Sequence, residues 1–205
     1  MIDSNWDAPI PLVTLDEFLV AEEWAGLLDY TLSRDGEFIS TGILDHAGAA
    51  SIDPDYRRSR VLFEMDAYRS VFADRILTFL PLVLRQLSFP EFPVREIEMQ
   101  LTATNDGEFF RAHTDNRSDI VNSRTLTFVY YFYRQPKAFA GGELRVFGTQ
   151  SDMSQAVPGP YRIVYPMQNQ IAFFPSDTLH EILPVECPSG QFSDSRFTLN
   201  GWLHR

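Results

Sequence analysis

The chain has 205 residues, of which 44% are hydrophobic and 22% charged, enough to bury one core and unlike a disordered polymer. Its 17 basic and 28 acidic residues leave a net charge of -11, which opposes binding to a phosphate backbone, so no nucleic-acid partner is expected. The single cysteine, Cys187, excludes an internal disulfide and a cysteine-built zinc or iron–sulfur site within one chain.

Met1–Pro11 carries Asp3 and Asp7 and lacks a basic start, so no secretory signal is expected there. Apolar runs such as Phe128–Phe132 fall far short of the ~20 residues of a membrane helix. A cytoplasmic protein with no membrane partner is the simplest expectation. Thr14-Leu15-Asp16-Glu17 has the pattern of a capping box. Trp24, Leu27, Leu28 and Thr31 follow at the spacing of one helix face, and Arg34-Asp35-Gly36 is a stop. Asp45–Arg60, rich in Gly, Ala, Ser and Asp, reads as a loop that could cover a site. A second helix is predicted over 66–88, where Phe72, Ile76, Leu80, Leu84 and Leu87 form a ridge; Pro81 should kink it or split it at Leu80.

From Val94 the pattern becomes β-rich. Strands are expected near Ile97–Thr104, Arg124–Tyr133, Glu143–Phe147, Arg162–Tyr165, Ile171–Phe174, Ile182–Val185 and Phe197–Leu203, with Gly141-Gly142 as a turn. Regularly spaced short strands suggest a sandwich or barrel, with the front helices packed on one sheet. The expected organisation is a single domain, 1–93 being helical and loop-rich support and 94–205 the β core.

His113-Thr114-Asp115 is the chemically informative cluster. If it lies on a strand, His113 and Asp115 point to the same side and could share a metal ion. His180 is the candidate third ligand. Two imidazoles and one carboxylate form the facial triad of non-haem Fe(II) sites, which leaves coordination positions open for a co-substrate and O2. A satisfied polar pair on a strand is the competing reading of the same spacing. Arg196 lies in the apolar segment Ser195–Trp202 with no acid nearby on its strand face. Burial there is costly without a partner, and a bound carboxylate would satisfy it; snorkelling to the rim is the alternative.

Met99–Arg205 resembles the catalytic half of Fe(II)- and 2-oxoglutarate-dependent dioxygenases, in the prolyl-hydroxylase-like branch. The resemblance is carried by Gly107–Asn116, Thr127–Tyr131, Gly141-Gly142-Glu143-Leu144, Asn169–Leu183 with Phe173-Phe174-Pro175-Ser176 ahead of His180, and Arg196–Trp202. It implies a double-stranded β-helix, a jelly-roll variant also seen in cupins. It implies Fe(II) on His113, Asp115 and His180, and the distal carboxylate of 2-oxoglutarate on Arg196, with Tyr131 and Asn200 as further contacts. Trp202 would line the pocket or the core. The implied reaction couples oxidative decarboxylation of 2-oxoglutarate by O2 to hydroxylation of an aliphatic C–H. The aspartate at Asp115 argues for hydroxylation over halogenation, because related halogenases replace it with a small residue.

One departure concerns the substrate. Oxygen-sensing prolyl hydroxylases carry a tyrosine shortly before the first histidine, where this chain reads Leu101-Thr102-Ala103-Thr104-Asn105. A peptidyl proline, a free amino acid and another small metabolite all remain as substrates. Nucleic-acid demethylation, a cupin-like binding module without turnover and an oxygen or 2-oxoglutarate sensor are further alternatives. Asn116–Ser123 reads as a solvated loop or a substrate loop. His46 reads as a surface residue and His204 as an adventitious metal binder. Arg57-Arg58-Ser59-Arg60 is a basic cluster that either faces solvent or meets an acidic substrate group.

Overall fold

The structure, a computed structural model, describes residues 10–41, 43–44, 50–51, 53–148 and 159–205. In chain order its strands are β1 Val13–Leu15, β2 Ile39–Ser40, β3 Ile43–Leu44, β4 Ala50–Ser51, β5 Arg60–Leu62, β6 Glu96–Thr104, β7 Phe110–His113 and β8 Arg124–Phe132. They continue with β9 Ala140–Gly141, β10 Leu144–Phe147, β11 Tyr161–Val164, β12 Gln170–Pro175, β13 His180–Ile182, β14 Val185–Glu186 and β15 Arg196–His204. Two helices, α1 Ala21–Leu32 and α2 Asp66–Leu87, lie in the first half of the chain.

The large sheet runs β1-β12-β8-β15-β6-β5-β2, and the small one β11-β10-β13-β7. The strand pairings among the described residues are antiparallel, as in β15 against β6 (Arg196 opposite Thr104, Leu203 opposite Ile97) and β15 against β8. These are the two sheets of a double-stranded β-helix.

Strand period two assigns each face of the large sheet. On β8, Leu126, Phe128, Tyr130 and Phe132 point at the helices; on β15 so do Phe197, Leu199 and Leu203, and on β6 Met99, Leu101 and Ala103. They pack against Leu27, Leu28, Phe72, Ile76, Leu80, Val83 and Leu84. Phe72 and Tyr130 meet edge to face at 5.1 Å. Each such fully buried large apolar side chain contributes about 1.5–3 kcal/mol. The opposite face of β8 places Val129 and Tyr131 between the sheets, against Leu144, Val146, Val164 and Phe174.

Three expectations about local structure change. Thr14 and Leu15 belong to an edge strand, paired with Ala172 and Ile171, so α1 begins only at Ala21. There the Val20 N–H donates to the Glu23 carboxylate at 3.1 Å, a function the sequence pattern assigned to residues six positions earlier. Pro81 sits inside one uninterrupted helix. Phe72, Ile76 and Leu80 before it and Val83 and Leu84 after it are buried in the same cluster, which holds both halves on the sheet. The front half is also more than support, since β1 closes one edge of the large sheet and β5 and β2 the other. Among the described residues no helix is long and apolar enough to cross a membrane.

Gly201 sits at the crossing of β15, β6 and β8. A Cβ there would stand 2.0 Å from the Glu98 carbonyl oxygen and 2.7 Å from the Phe128 ring. Gly201→Ala is expected to cost about 1–3 kcal/mol, the range for overpacking a filled site. Chemical denaturation followed by circular dichroism measures it; an unchanged midpoint would show that the sheet yields there.

Candidate metal centre and its cavity

The faces turned away from the helices line a cavity of about 550 Å³ between the two sheets. The large sheet supplies alternate residues: Gln100 and Thr102 from β6, Thr127 and Val129 from β8, and Arg196, Thr198, Asn200 and Trp202 from β15. The small sheet supplies His113 and His180, which are register partners across β7 and β13.

His113, Asp115 and His180 are all buried and offer ligand atoms within 4.8 Å of one another. The sequence reading put His113 and Asp115 on one strand. The strand ends at His113, and Asp115 is instead fixed in a bend by its own N–H, which donates to the Ser176 carbonyl at 2.8 Å. Its carboxylate lies 3.6 Å from His113 Nε2 and 3.5 Å from His180 Nε2.

Each histidine Nδ1 sits on a backbone carbonyl, His113 on Arg111 at 2.7 Å and His180 on Thr178 at 2.9 Å. A carbonyl only accepts, so Nδ1 carries the hydrogen and both Nε2 lone pairs face the common point. Phe110 stacks on the His113 ring at 3.5 Å and limits its rotation.

Burial lowers the His113 pKa to about 3, helped by the facing His180 imidazole. Burial would raise Asp115, but the His180 and His113 imidazoles hold it below the usual carboxylate range. The Thr127 hydroxyl assists by donating to Asp115 Oδ2 at 2.7 Å, and the Trp202 indole N–H faces the carboxylate without closing a full hydrogen bond. A neutral His113 imidazole beside an ionised Asp115 carboxylate is the state in which both groups can bind a divalent cation.

Arg196 lines the same cavity and is 2% exposed, and its Nε and Nη2 have no hydrogen-bond partner. Tyr131, fully buried, lies beside it with the guanidinium 5.0 Å from its ring centroid and a hydroxyl that faces Arg196 without closing a full hydrogen bond. Gly142 packs on the stem from the other side: a Cβ there would come within 2.6 Å of Arg196 Cδ.

The family model described as the 2OG-Fe(II) oxygenase superfamily matches residues 99–204, just over half of the chain. The chain belongs to the 2OG-Fe(II) oxygenases. An uncharacterized PKHD-type hydroxylase of Synechocystis is 40% identical over 194 residues, covering 93% of this chain and 62% of the relative. The chain thus spans less than two thirds of that protein. Among solved structures, a Pseudomonas putida prolyl-4-hydroxylase superposes with a TM-score of 0.68 at 22% identity, over 95% of this chain and 93% of its own. A Trichoplax adhaerens prolyl hydroxylase, solved with a hypoxia inducible factor peptide fragment, gives 0.64 at 15% identity, over 95% of this chain and 84% of its own. These likenesses establish the shared fold.

Oxygenases of this superfamily use Fe(II), 2-oxoglutarate and O2, and the residues present fit that set. The open donor set of two imidazoles and one carboxylate suits ferrous iron. The bare guanidinium nitrogens of Arg196 and the bare Tyr131 hydroxyl suit a carboxylate. Asn200 also lines the oxygenase cavity; its Oδ1 accepts from Thr102 at 2.9 Å and Thr198 at 3.2 Å, which holds the amide plane in place.

His46 lies outside the described residues. His204 is a bracing residue, bonded to Ser123 at 2.8 Å and to Glu98 at 3.3 Å. Glu98 also pairs with Arg124, whose guanidinium covers the Trp202 ring at 3.6 Å. The sequence assigned no function to Thr127 or Phe110, and left Arg57 in a basic cluster open between solvent and an acidic substrate group. Thr127 could have been found by period two, since it shares a strand face with Val129 and Tyr131.

Two outcomes are expected. Thr127→Val should weaken divalent-metal affinity by about 10-fold, the lower end for an outer hydrogen bond to a ligand, with the fold retained; calorimetric titration with Co(II) checks it. The metal-free protein should lose stability as pH falls from about 6.5 toward 3, because the unfolded chain takes up a proton at His113 that the folded chain resists. His113→Gln should flatten that part of the unfolding-midpoint profile.

Proposed function

We propose that the chain is an Fe(II)- and 2-oxoglutarate-dependent hydroxylase acting on an aliphatic C–H of a prolyl residue in a peptide or protein. In this reading His113, Asp115 and His180 hold the iron. Arg196 takes the distal carboxylate of 2-oxoglutarate, with Tyr131 and Asn200 beside it. The observation that carries the proposal is Arg196, a buried cation with two bare nitrogens on the wall of the triad's cavity. Leaving it there unpaired is costly, and a carboxylate docked bidentately removes the cost.

When bound, iron and 2-oxoglutarate supply O2 activation coupled to decarboxylation, delivering one oxygen atom to the substrate C–H and leaving succinate and CO2. The protein's part is positioning and dryness. The Arg111 and Thr178 carbonyls aim the two imidazoles, and Thr127 and the Ser176 carbonyl aim Asp115. Val129, Ile182 and Trp202 give the cavity apolar walls that exclude water near the reacting centre. Arg196 fixes the far end of the co-substrate and so its keto-acid end. The substrate class is supported by the prolyl hydroxylases among the structural relatives and by aromatic residues, Phe63 and Phe109 among them, along the cavity.

Anaerobic addition of Fe(II) and then 2-oxoglutarate should produce the weak visible charge-transfer band of the chelated metal, and His180→Ala should abolish it. Arg196→Ala should raise the 2-oxoglutarate requirement by about 100-fold, the scale of losing two charge-assisted hydrogen bonds. Iron binding without the band, or an unchanged 2-oxoglutarate dependence in Arg196→Ala, would overturn the assignment. Succinate formation that rises on adding proline-containing peptides tests the substrate.

A further inference from the structure

The cavity carries a second cation that the proposed chemistry does not use. Arg57 stands on the cavity wall, its guanidinium 4.5 Å from the centroid of Phe110, the ring that stacks on His113. Its backbone pairs with Phe110 in an isolated β-bridge, and its N–H donates to the Asp53 carbonyl at 2.9 Å. Its Nε donates to Ser59 Oγ at 3.2 Å. The stem, the backbone and one nitrogen are thus held in place. Nη1 and Nη2 have no hydrogen-bond or ion-pair partner among the described residues.

The surroundings of Arg57 deepen the contrast. The protein as a whole has a net charge of -11, yet five arginines and only two carboxylates line this cavity. Glu98 is committed to Arg124, and Asp115 belongs to the triad. Of the remaining arginines, Arg58 is tied to Asp55 at 3.5 Å and to the Pro54 carbonyl at 2.6 Å. Arg117 stands exposed, with no ion-pair partner among the described residues. Burial pulls the Arg57 pKa down to about 10, with Asp115 opposing it and the like charge of Arg124 adding to it, so Arg57 stays ionised at neutral pH. An arginine with a purely bracing function would present its fork to a carbonyl or a carboxylate of the protein, as Arg124 does.

We infer that Arg57 is a specificity-determining residue that binds a carboxylate of the substrate, so the target carbon lies beside an acidic group. This rests on the hydroxylase reading for the meaning of "substrate", and adds to it a charge requirement. The carboxylate has two sources: an aspartate or glutamate flanking the modified residue of a peptide, or the α-carboxylate of a free amino acid. A docked carboxylate would take the two terminal nitrogens of Arg57, next to the Phe110–His113 stack, and so place the neighbouring C–H over the metal centre.

The test uses the whole protein loaded with Mn(II) and 2-oxoglutarate and two probe pairs. One pair is an end-blocked peptide with a central proline flanked by Asp or by Asn. The other is free L-proline and L-prolinamide. In at least one pair the acidic member should bind about ten-fold tighter, the scale of one charge-assisted hydrogen bond. The gap should shrink at high salt, vanish in Arg57→Gln and persist in part in Arg57→Lys, with 2-oxoglutarate affinity unmoved. The pair that shows the gap identifies the source of the carboxylate. Equal or undetectable binding of both members in both pairs, or a gap that survives in Arg57→Gln, overturns the inference. Failure of the loading step with the acidic preference intact overturns the hydroxylase reading instead.

Discussion

Everything in this molecule depends on one constraint of strand geometry: successive side chains leave the sheet on opposite sides. β6, β8 and β15 lie at the centre of the large sheet and must serve two unlike environments along the same nine-residue stretches. Their odd-face residues on β15, Phe197, Leu199 and Leu203, bind the helices to the sheet. The residues between them, Arg196, Thr198, Asn200 and Trp202, form one wall of the reaction cavity. A one-residue slip in register would exchange the two sets and bury the polar residues under α2. Packing of the helices therefore fixes the cavity wall as firmly as any contact inside the cavity.

The candidate metal centre is built on the small sheet and braced from the large one. His113 and His180 face each other across β7 and β13, while the large sheet supplies Thr127 against Asp115. Behind Trp202 stands a charged brace in which Glu98 joins Arg124 and His204. The brace is half-buried, so its Glu98–Arg124 ion pair is better shielded from salt than an exposed one. Aromatic, ionic and backbone contacts thus converge on the three candidate ligand side chains. Such convergence holds reactive groups within a fraction of an ångström.

Legibility in the sequence followed the range of the interactions involved. The β8 run Arg124–Phe132 and the β15 run declared themselves because period two and β-branched or aromatic content are local properties. His113, Asp115 and His180 were legible as residue types able to share a metal, and Arg196 as a charge in an apolar strand. What failed was set by distant partners. Thr14 looks like a cap in isolation and is a strand residue because β12 is beside it. Pro81 looks like a break and is tolerated because both halves of α2 are held by the sheet. Arg57 was indistinguishable from its surface neighbours Arg58 and Arg60, because only the fold brings Phe110 and the metal centre next to it.

Arg196 and Tyr131 have a consequence for the whole chain. Their unpartnered polar atoms stand in the interior, so the folded state carries an unfavourable contribution that a carboxylate docked there would remove. A carboxylate bound there would link occupancy and folding through mass action. On the proposed assignment, the protein's resistance to unfolding, and with it its survival among proteases, would be a readout of how much small diacid surrounds it.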